Sequence, residues 1–301
     1  MVFFGIGEIA GLLTALGWAG SCQVHTMASR ILGGLGMTVA RQPLLLSAIL
    51  IVVFATGTDI TTPASSLLFL IGSGFLAMVL TDPLLYSASV MVGPRIALLV
   101  QSLSACLTAI FGYVLMGEAL NLMGWLGILT ASCGVAFVLM EGGLQVGTGI
   151  GGLSRGQLIK GVSWAFLSAV SMAGSFLLLK QGMREGMQPM WAAFVRMGSG
   201  GLILWSIMLL RGQLFGMLRR AWTSWSIMRL LLFGCAVSTI GNCLVPVAMK
   251  YTQAGIAATL VSLQPIMIII ITSVMDRKLP TLRAVIGTVI AFSGTAMIFL
   301  R

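Results

Sequence analysis

Runs of predominantly apolar residues follow one another along this 301-residue chain from end to end, each about as long as the 20 residues that carry a helix across a bilayer. No stretch between them is long enough to make a separate soluble domain. Hydrophobic residues form 58% of the chain and charged residues 8%, with a mean hydropathy of +1.07. That is too little charge to cover a water-facing surface of this size, so the solvent of the chain is lipid. The first run, near 9–29, has no basic stretch ahead of it and is read as a span, not a cleaved signal. The expectation is an all-α membrane protein.

Ten spans are expected, near 8–29, 37–57, 66–91, 94–116, 122–140, 158–180, 189–210, 226–250, 255–275 and 281–300. Breakers such as Thr61-Thr62-Pro63, Gly93-Pro94, Gln188-Pro189 and Leu279-Pro280 separate them. The two halves echo one another. Leu103, Gly127 and Gly134 recur 160 residues later as Leu263, Gly287 and Gly294, and Ala19-Gly20-Ser21 returns as Ala173-Gly174-Ser175. We divide the chain into a first repeat at 1–141, a Gly-rich linker at 142–157 and a second repeat at 158–301. Five spans are an odd number, so the second repeat enters the membrane in the opposite sense. Two inverted five-helix repeats are a common build of secondary transporters, with the substrate site near the midplane between them.

The net charge of +10 does not point to nucleic acid, because the basic residues stand singly in short loops and form no stripe with interleaved aromatics. They act instead as determinants of orientation. Residues such as Arg30, Lys160, Arg211, Arg219, Arg220 and Arg283 lie in or beside the odd-numbered loops, against only Lys180, Arg184, Lys250 and Arg301 in the even-numbered loops and at the C-terminus. By the positive-inside rule both termini are outside. The five cysteines fall within apolar runs without paired or metal-ligand spacing and are read as reduced hydrophobes. Gly147-Thr148-Gly149-Ile150-Gly151-Gly152 imitates a phosphate loop, but no strand precedes it and no Lys follows in register. With a single histidine and no metal-spaced cluster, neither an enzyme nor a cofactor is expected.

Ionisable groups inside a span cost about 2.5–3.5 kcal/mol on insertion scales, so they face a partner or a watery cavity. Asp82 lies deep in the third span, in Thr81-Asp82-Pro83, where Pro83 removes a backbone hydrogen bond. Its mate 160 residues on is Asn242. Asp82 is either a proton carrier or a structural carboxylate held by a neighbouring helix. On the first span Thr14, Trp18, Ser21, Cys22 and His25 share one helical face, which we expect to line a cavity with Tyr86, Gln101 and Gln264. Amides of that kind can bond a substrate's carboxylate or amine, or pin helices together. His25, Arg41 and Asp82 fall at similar depth. They form a cluster, or Arg41 and its mate Arg196 snorkel to headgroups and His25 bonds to helix backbone. The glycine pairs at 127 and 134, and at 287 and 294, leave smooth stripes for helix packing.

These residues resemble the drug/metabolite transporter superfamily, EamA type. The likeness is carried by Trp18-Ala19-Gly20-Ser21, Arg41, Met116-Gly117-Glu118-Ala119-Leu120, Gly127 and Gly134, then by Arg196, Leu263-Gln264-Pro265, Gly287 and Gly294. It spans essentially the whole chain. Where the family repeats a Gly-Glu pair, the second half reads Asp276-Arg277-Lys278. The resemblance implies a secondary transporter of a small metabolite, often an amino-acid exporter, and termini that are often inside. Combined with the residues above, it leads us to expect alternating-access export of an amino-acid-like molecule from a bacterial inner membrane, by a monomer or homodimer, with protons as a candidate coupling ion. An anion or sugar-phosphate exchanger is the alternative; it would want Lys or Arg at the centre, where only Arg41, Arg196 and Lys250 come near. A membrane-embedded lipid enzyme lacks a catalytic cluster, and a scaffold would leave Asp82 and Asn242 without use.

The charge count and the resemblance disagree on orientation, and a C-terminal fluorescent-protein fusion separates them. The charge count predicts dark cells, because such a protein does not mature after export. Bright cells would place the C-terminus in the cytoplasm.

Overall fold

The computed structural model describes residues 5–117, 121–144, 155–183, 186–264, 266–267 and 282–299. Among these residues there is no β-strand, and the elements run α1 (Ile6–Ala55), α2 (Ala64–Gly74), a π-helical turn (Phe75–Thr81), α3 (Asp82–Val92), α4 (Pro94–Met116) and α5 (Leu122–Leu144). The second half continues with α6 (Arg155–Gly182), α7 (Pro189–Leu210), α8 (Leu214–Thr223), α9 (Trp225–Tyr251), α10 (Ala254–Val261) and α11 (Leu282–Phe299). Among the described residues five stretches, Ile6–Ala55, Ala64–Val92, Gly156–Gly182, Pro189–Leu210 and Trp225–Tyr251, are long and apolar enough to cross a membrane.

A straight helix of 50 residues would be about 75 Å long, more than twice the ~30 Å hydrocarbon core. Instead α1 breaks at Gly33, with φ 75° and ψ 160°, and folds back as a hairpin. The contact between His25 Nδ1 and Arg41 Nη1, 3.4 Å apart and eight residues either side of Gly33, fixes the reversal; sixteen residues of straight helix would separate them by about 24 Å. We expected a loop over 30–36. One residue suffices, because this backbone region is open to glycine almost alone. Gly34 then packs so closely that a Cβ there would lie 2.7 Å from the Pro83 carbonyl oxygen and 2.6 Å from the Ser87 nitrogen.

The third span differs in the same spirit. Pro83 has no N–H, and its ring collides with the carbonyl four residues back, so the preceding turn widens. Asp82 N–H bonds to the Ala77 carbonyl, five residues back. Thus α2, the π turn and α3 make one span that bends just where the carboxylate sits.

The two halves meet along matched crossings. The first limb of α1 lies against α9, where a Cβ on Gly17 would come 2.9 Å from the Gly241 nitrogen. In the counterpart, α6 lies against α2: Ser73 Oγ donates to the Ser175 carbonyl at 2.8 Å, and Ser175 Oγ donates to the Ser73 carbonyl at 2.9 Å. Each repeat's first span therefore rests on the other's third. Small residues let the backbones approach where lipid supplies no hydrophobic drive. The fifth and tenth spans also pack on glycine, since a Cβ on Gly294 would sit 2.8 Å from the Gly127 carbonyl oxygen.

Other boundaries shift. Helix α5 continues to Leu144 and α6 starts at Arg155, both inside the expected linker; residues 145–154, with the loop that imitates a phosphate site, lie outside the described residues, as do Glu118 and Asp276-Arg277-Lys278. The expected ninth span is interrupted: α10 ends at Val261, Ser262 and Leu263 form a turn, and Gln264, Ile266 and Met267 are helical again, while 265 and 268–281 lie outside the described residues. Helix α8 was not expected. Its apolar Leu214, Met217, Leu218 and Ala221 fall at helical spacing, while Trp222 Nε1 donates to the Ala40 carbonyl at 3.3 Å.

Gly33→Ala should lower stability by about 1–3 kcal/mol, the cost of a side chain in that backbone region. Gly36→Ala, whose Cβ would meet Leu32 at an ordinary 3.5 Å, is the control. Thermal melting of the purified proteins reads both, and equal melting temperatures would remove Gly33 as the hinge.

Candidate functional site

Between the repeats lies a cavity whose empty space, open part included, is about 600 Å³. Both limbs of α1 face it, along with the π turn, α3, α4, α6, α7 and α9. Of the residues singled out from the sequence, Trp18, Ser21, Cys22, Arg41, Asp82, Tyr86, Gln101, Arg196, Asn242 and Gln264 all line it. His25 does not. It is fully buried behind Tyr86 and Arg41, so the expectation that it faces the cavity is corrected; the helical face it shares with Trp18 and Cys22 turns past the opening before reaching it. Thr14 is likewise buried, donating to the Ala10 carbonyl at 2.7 Å. Lys250 is elsewhere, bonded to the Met187 carbonyl at 2.9 Å.

The centre of the site is an ion pair. Arg41 Nη2 donates to Asp82 Oδ2, and the two side chains are 4% and 16% exposed. Arg41 therefore does not snorkel; the Gly33 reversal carries it back into the membrane, and the close seat of Gly34 on α3 sets it opposite Asp82. Its guanidinium lies 5.5 Å from the Tyr86 ring centre, and Nη1 is 3.5 Å from the Tyr86 hydroxyl. Because a guanidinium only donates, His25 Nδ1 is the acceptor in this cluster, and the Tyr86 hydroxyl donates to it at 3.0 Å. His25 Nε2 then carries the hydrogen and points at α9, where a Cβ on Gly234 would fall 2.7 Å from it.

Arg196, on α7, is held differently. It is 1% exposed. Nε donates to Ser73 Oγ at 2.8 Å and Nη2 to Ser175 Oγ at 3.0 Å, so the serine pair that joins α2 to α6 also grips this side chain. A near-backbone crossing places it, since a Cβ on Gly200 would meet the Gly74 main chain, with Gly74 Cα at 3.0 Å. Arg196 Nη1 has no hydrogen-bond partner among the described residues, and neither amide atom of the buried Gln101 has one.

The rest of the wall is mostly apolar. Ala77, Met78, Leu85, Leu98, Met172 and Met197 line it, none of them distinguishable in the sequence from packing residues. Thr81 and Ser238 also line it; their signal was position, beside Asp82 and one turn before Asn242, whose Nδ2 donates to the Ser238 carbonyl at 2.9 Å. Trp18 stacks on Phe176 with ring centres 6.5 Å apart. Gln264 faces a smaller adjoining pocket as well, with Gln101 and Ser104. All five cysteines are free thiols, and among the described residues no three His, Cys, Asp or Glu side chains group as metal ligands.

No curated protein matches the chain. A crystal structure of a protein 18% identical superposes with a TM-score of 0.74 over 98% of this chain and 96% of the other; at that identity the likeness is one of fold. The signature of the EamA-like transporter family matches residues 5–140 and again residues 159–300. The chain, an all-α membrane protein made of two such units, belongs to the EamA-like transporter family.

Proposed function

We propose that this membrane transporter exports an amino-acid-like metabolite by alternating access, with a proton as the coupling ion at Asp82. The supporting observation is the cavity itself, walled by both repeats and holding one acidic side chain, Asp82, in a pair with Arg41. Rocking of one repeat against the other moves such a cavity from one face of the membrane to the other. A proton arriving at Asp82 removes the negative charge that holds Arg41, and leaves the guanidinium only Tyr86 and His25 as neighbours. That change in contacts gives the proton different free energies in the two states, as coupling requires. Residence in a bacterial inner membrane, as a monomer or homodimer, completes the proposal. Anion exchange is the second reading, favoured by Arg196 in the wall.

Asp82→Asn should abolish uphill transport driven by a pH gradient while counterflow exchange, which needs no net proton movement, survives in proteoliposomes. The variant leaves Arg41 buried without its counter-ion, a loss of about 3–5 kcal/mol, so it is compared with the double variant Arg41→Gln, Asp82→Asn, which should recover stability. Uphill transport by Asp82→Asn at the parent's level would make Asp82 a structural residue.

Cys22 tests the cavity as a pathway. In a variant lacking the other four cysteines, a membrane-permeant thiol reagent should label Cys22, and saturating substrate should slow that labelling. No labelling in either inward-facing or outward-facing conditions would return the first-span face to packing.

A further inference from the structure

We infer that Arg196 and Gln101 form a seat for a carboxylate on the transported molecule. This rests on the transport reading and adds a substrate class to it. Two guanidinium groups and one carboxylate line the cavity, from Arg41, Arg196 and Asp82, so it carries one positive charge in excess. The pair between Arg41 and Asp82 is the one ion pair among the described residues, and it leaves Arg196 with neutral hydrogen-bond partners, Asp82 acting on it through charge without contact. A guanidinium buried to 1% exposure without a contacting counter-ion is unfavourable. The serine hydroxyls offset much of that cost and leave the charge itself, which an arriving anion neutralises.

The vacant donors match this role. Ser73 and Ser175 each donate to the other's carbonyl, so their hydroxyl oxygens are left to accept from Arg196, and the arginine is fixed before any ligand arrives. Its Nη1 and the whole amide of Gln101 are without partners among the described residues. Arg196 Nη1 and Gln101 Nε2 can each donate to one carboxylate. Gln101 Oε1 is left to accept, from the ammonium group of an amino acid where there is one. Charge favours a carboxylate over a phosphate. A phosphate monoester carries about −1.5 to −2 at neutral pH, and the second cation it would want, Arg41, is already taken by Asp82. The apolar remainder of the wall, with Met78, Met172, Leu85 and Leu98, suits an aliphatic or aromatic body on the ligand.

Matched probes test the seat on the purified full-length protein by thermal melting and titration. They are L-leucine, 4-methylpentanoate and 3-methylbutylamine, then L-phenylalanine, 3-phenylpropionate and 2-phenylethylamine, with phenyl phosphate added. At least one series should raise the melting temperature with its carboxylate-bearing members and not with its amine. Stabilisation by the amino acid alone identifies an amino-acid site; equal stabilisation by the des-amino acid identifies an organic-acid site; both support the seat. Arg196→Gln should weaken carboxylate binding about ten- to hundredfold, as for loss of a hydrogen bond to a charged group, with Arg196→Lys in between. Gln101→Met should also weaken it, and because it removes an amide without partners among the described residues it should melt no lower than the parent, so it carries the test if Arg196→Gln does not fold. The seat is overturned if no carboxylate binds, if the amines or phenyl phosphate bind better, or if neither substitution matters. Flux in proteoliposomes judges the transport reading separately. Movement of an amine or neutral solute with no carboxylate binding leaves transport standing and the seat refuted. Binding that depends on Arg196 without any flux does the reverse.

Discussion

The pair between Arg41 and Asp82 is the interaction on which the interior depends. Burying either charge alone costs several kcal/mol, and removing one partner of a buried pair costs about 3–5 kcal/mol. Such a pair is tolerable only when the backbone delivers both groups to one place. Two local features do so here. The hinge at Gly33 returns the chain so that residue 41 stands beside residue 25, and the π turn before Pro83 lets the third span bend where Asp82 leaves it. Tyr86 and His25, one turn and one hairpin limb away, fill the remaining space around the guanidinium.

The repeats are alike in frame and unlike in charge. Each first span crosses the other repeat's third span, at Gly17 on Gly241 and at Ser175 on Ser73, and each second span brings one arginine to the cavity. The third spans carry different residues at the matched position, Asp82 in one and Asn242 in the other. One arginine is therefore bonded to a carboxylate, and among the described residues its mate is bonded to hydroxyls. A duplicated fold has kept two cationic positions and one acidic one, and the asymmetry falls on the wall of the cavity.

Much of this was legible in the chain before folding. Apart from the ninth, which is interrupted after Val261 and runs into residues that are not described, periodicity and length gave spans whose ends agree with the helices to within a few residues, because lipid leaves helices as the solution for such runs. The polar positions were legible too, since a charge or amide in an apolar run stands out; ten of the twelve residues expected at the site line one cavity, Thr14 and His25 excepted, and whether that cavity is a pathway belongs to the proposal. What escaped the sequence were features set by single residues or by tertiary depth. The hinge takes one glycine among five between residues 17 and 36, and nothing local marks Gly33 above Gly34. The π turn is a response to Pro83, and its direction depends on the helix packed against it. His25 shares a helical face with residues that reach the cavity, but the partner helices decide where that face closes. Helix α8 did carry a helical pattern, masked by its length and by Arg219 and Arg220.

The two arginines divide the work that one cation cannot do alone. A charge in a span costs about 2.5–3.5 kcal/mol on insertion scales, and a hydrogen bond to a charged group returns about 1.5–3 kcal/mol. The two serine hydroxyls on Arg196 therefore roughly offset its burial. The empty cavity is stable with that arginine in place, yet its field is not cancelled. Arg41 is the opposite case, because a formal counter-charge neutralises it and a ligand gains little by displacing Asp82. A site built this way keeps one guanidinium committed to its carboxylate, and leaves the other with one donor, Nη1, without a partner among the described residues. The serines that hold Arg196 also join α2 to α6 across the seam between repeats, so any group that binds this arginine acts directly on a contact between the two repeats.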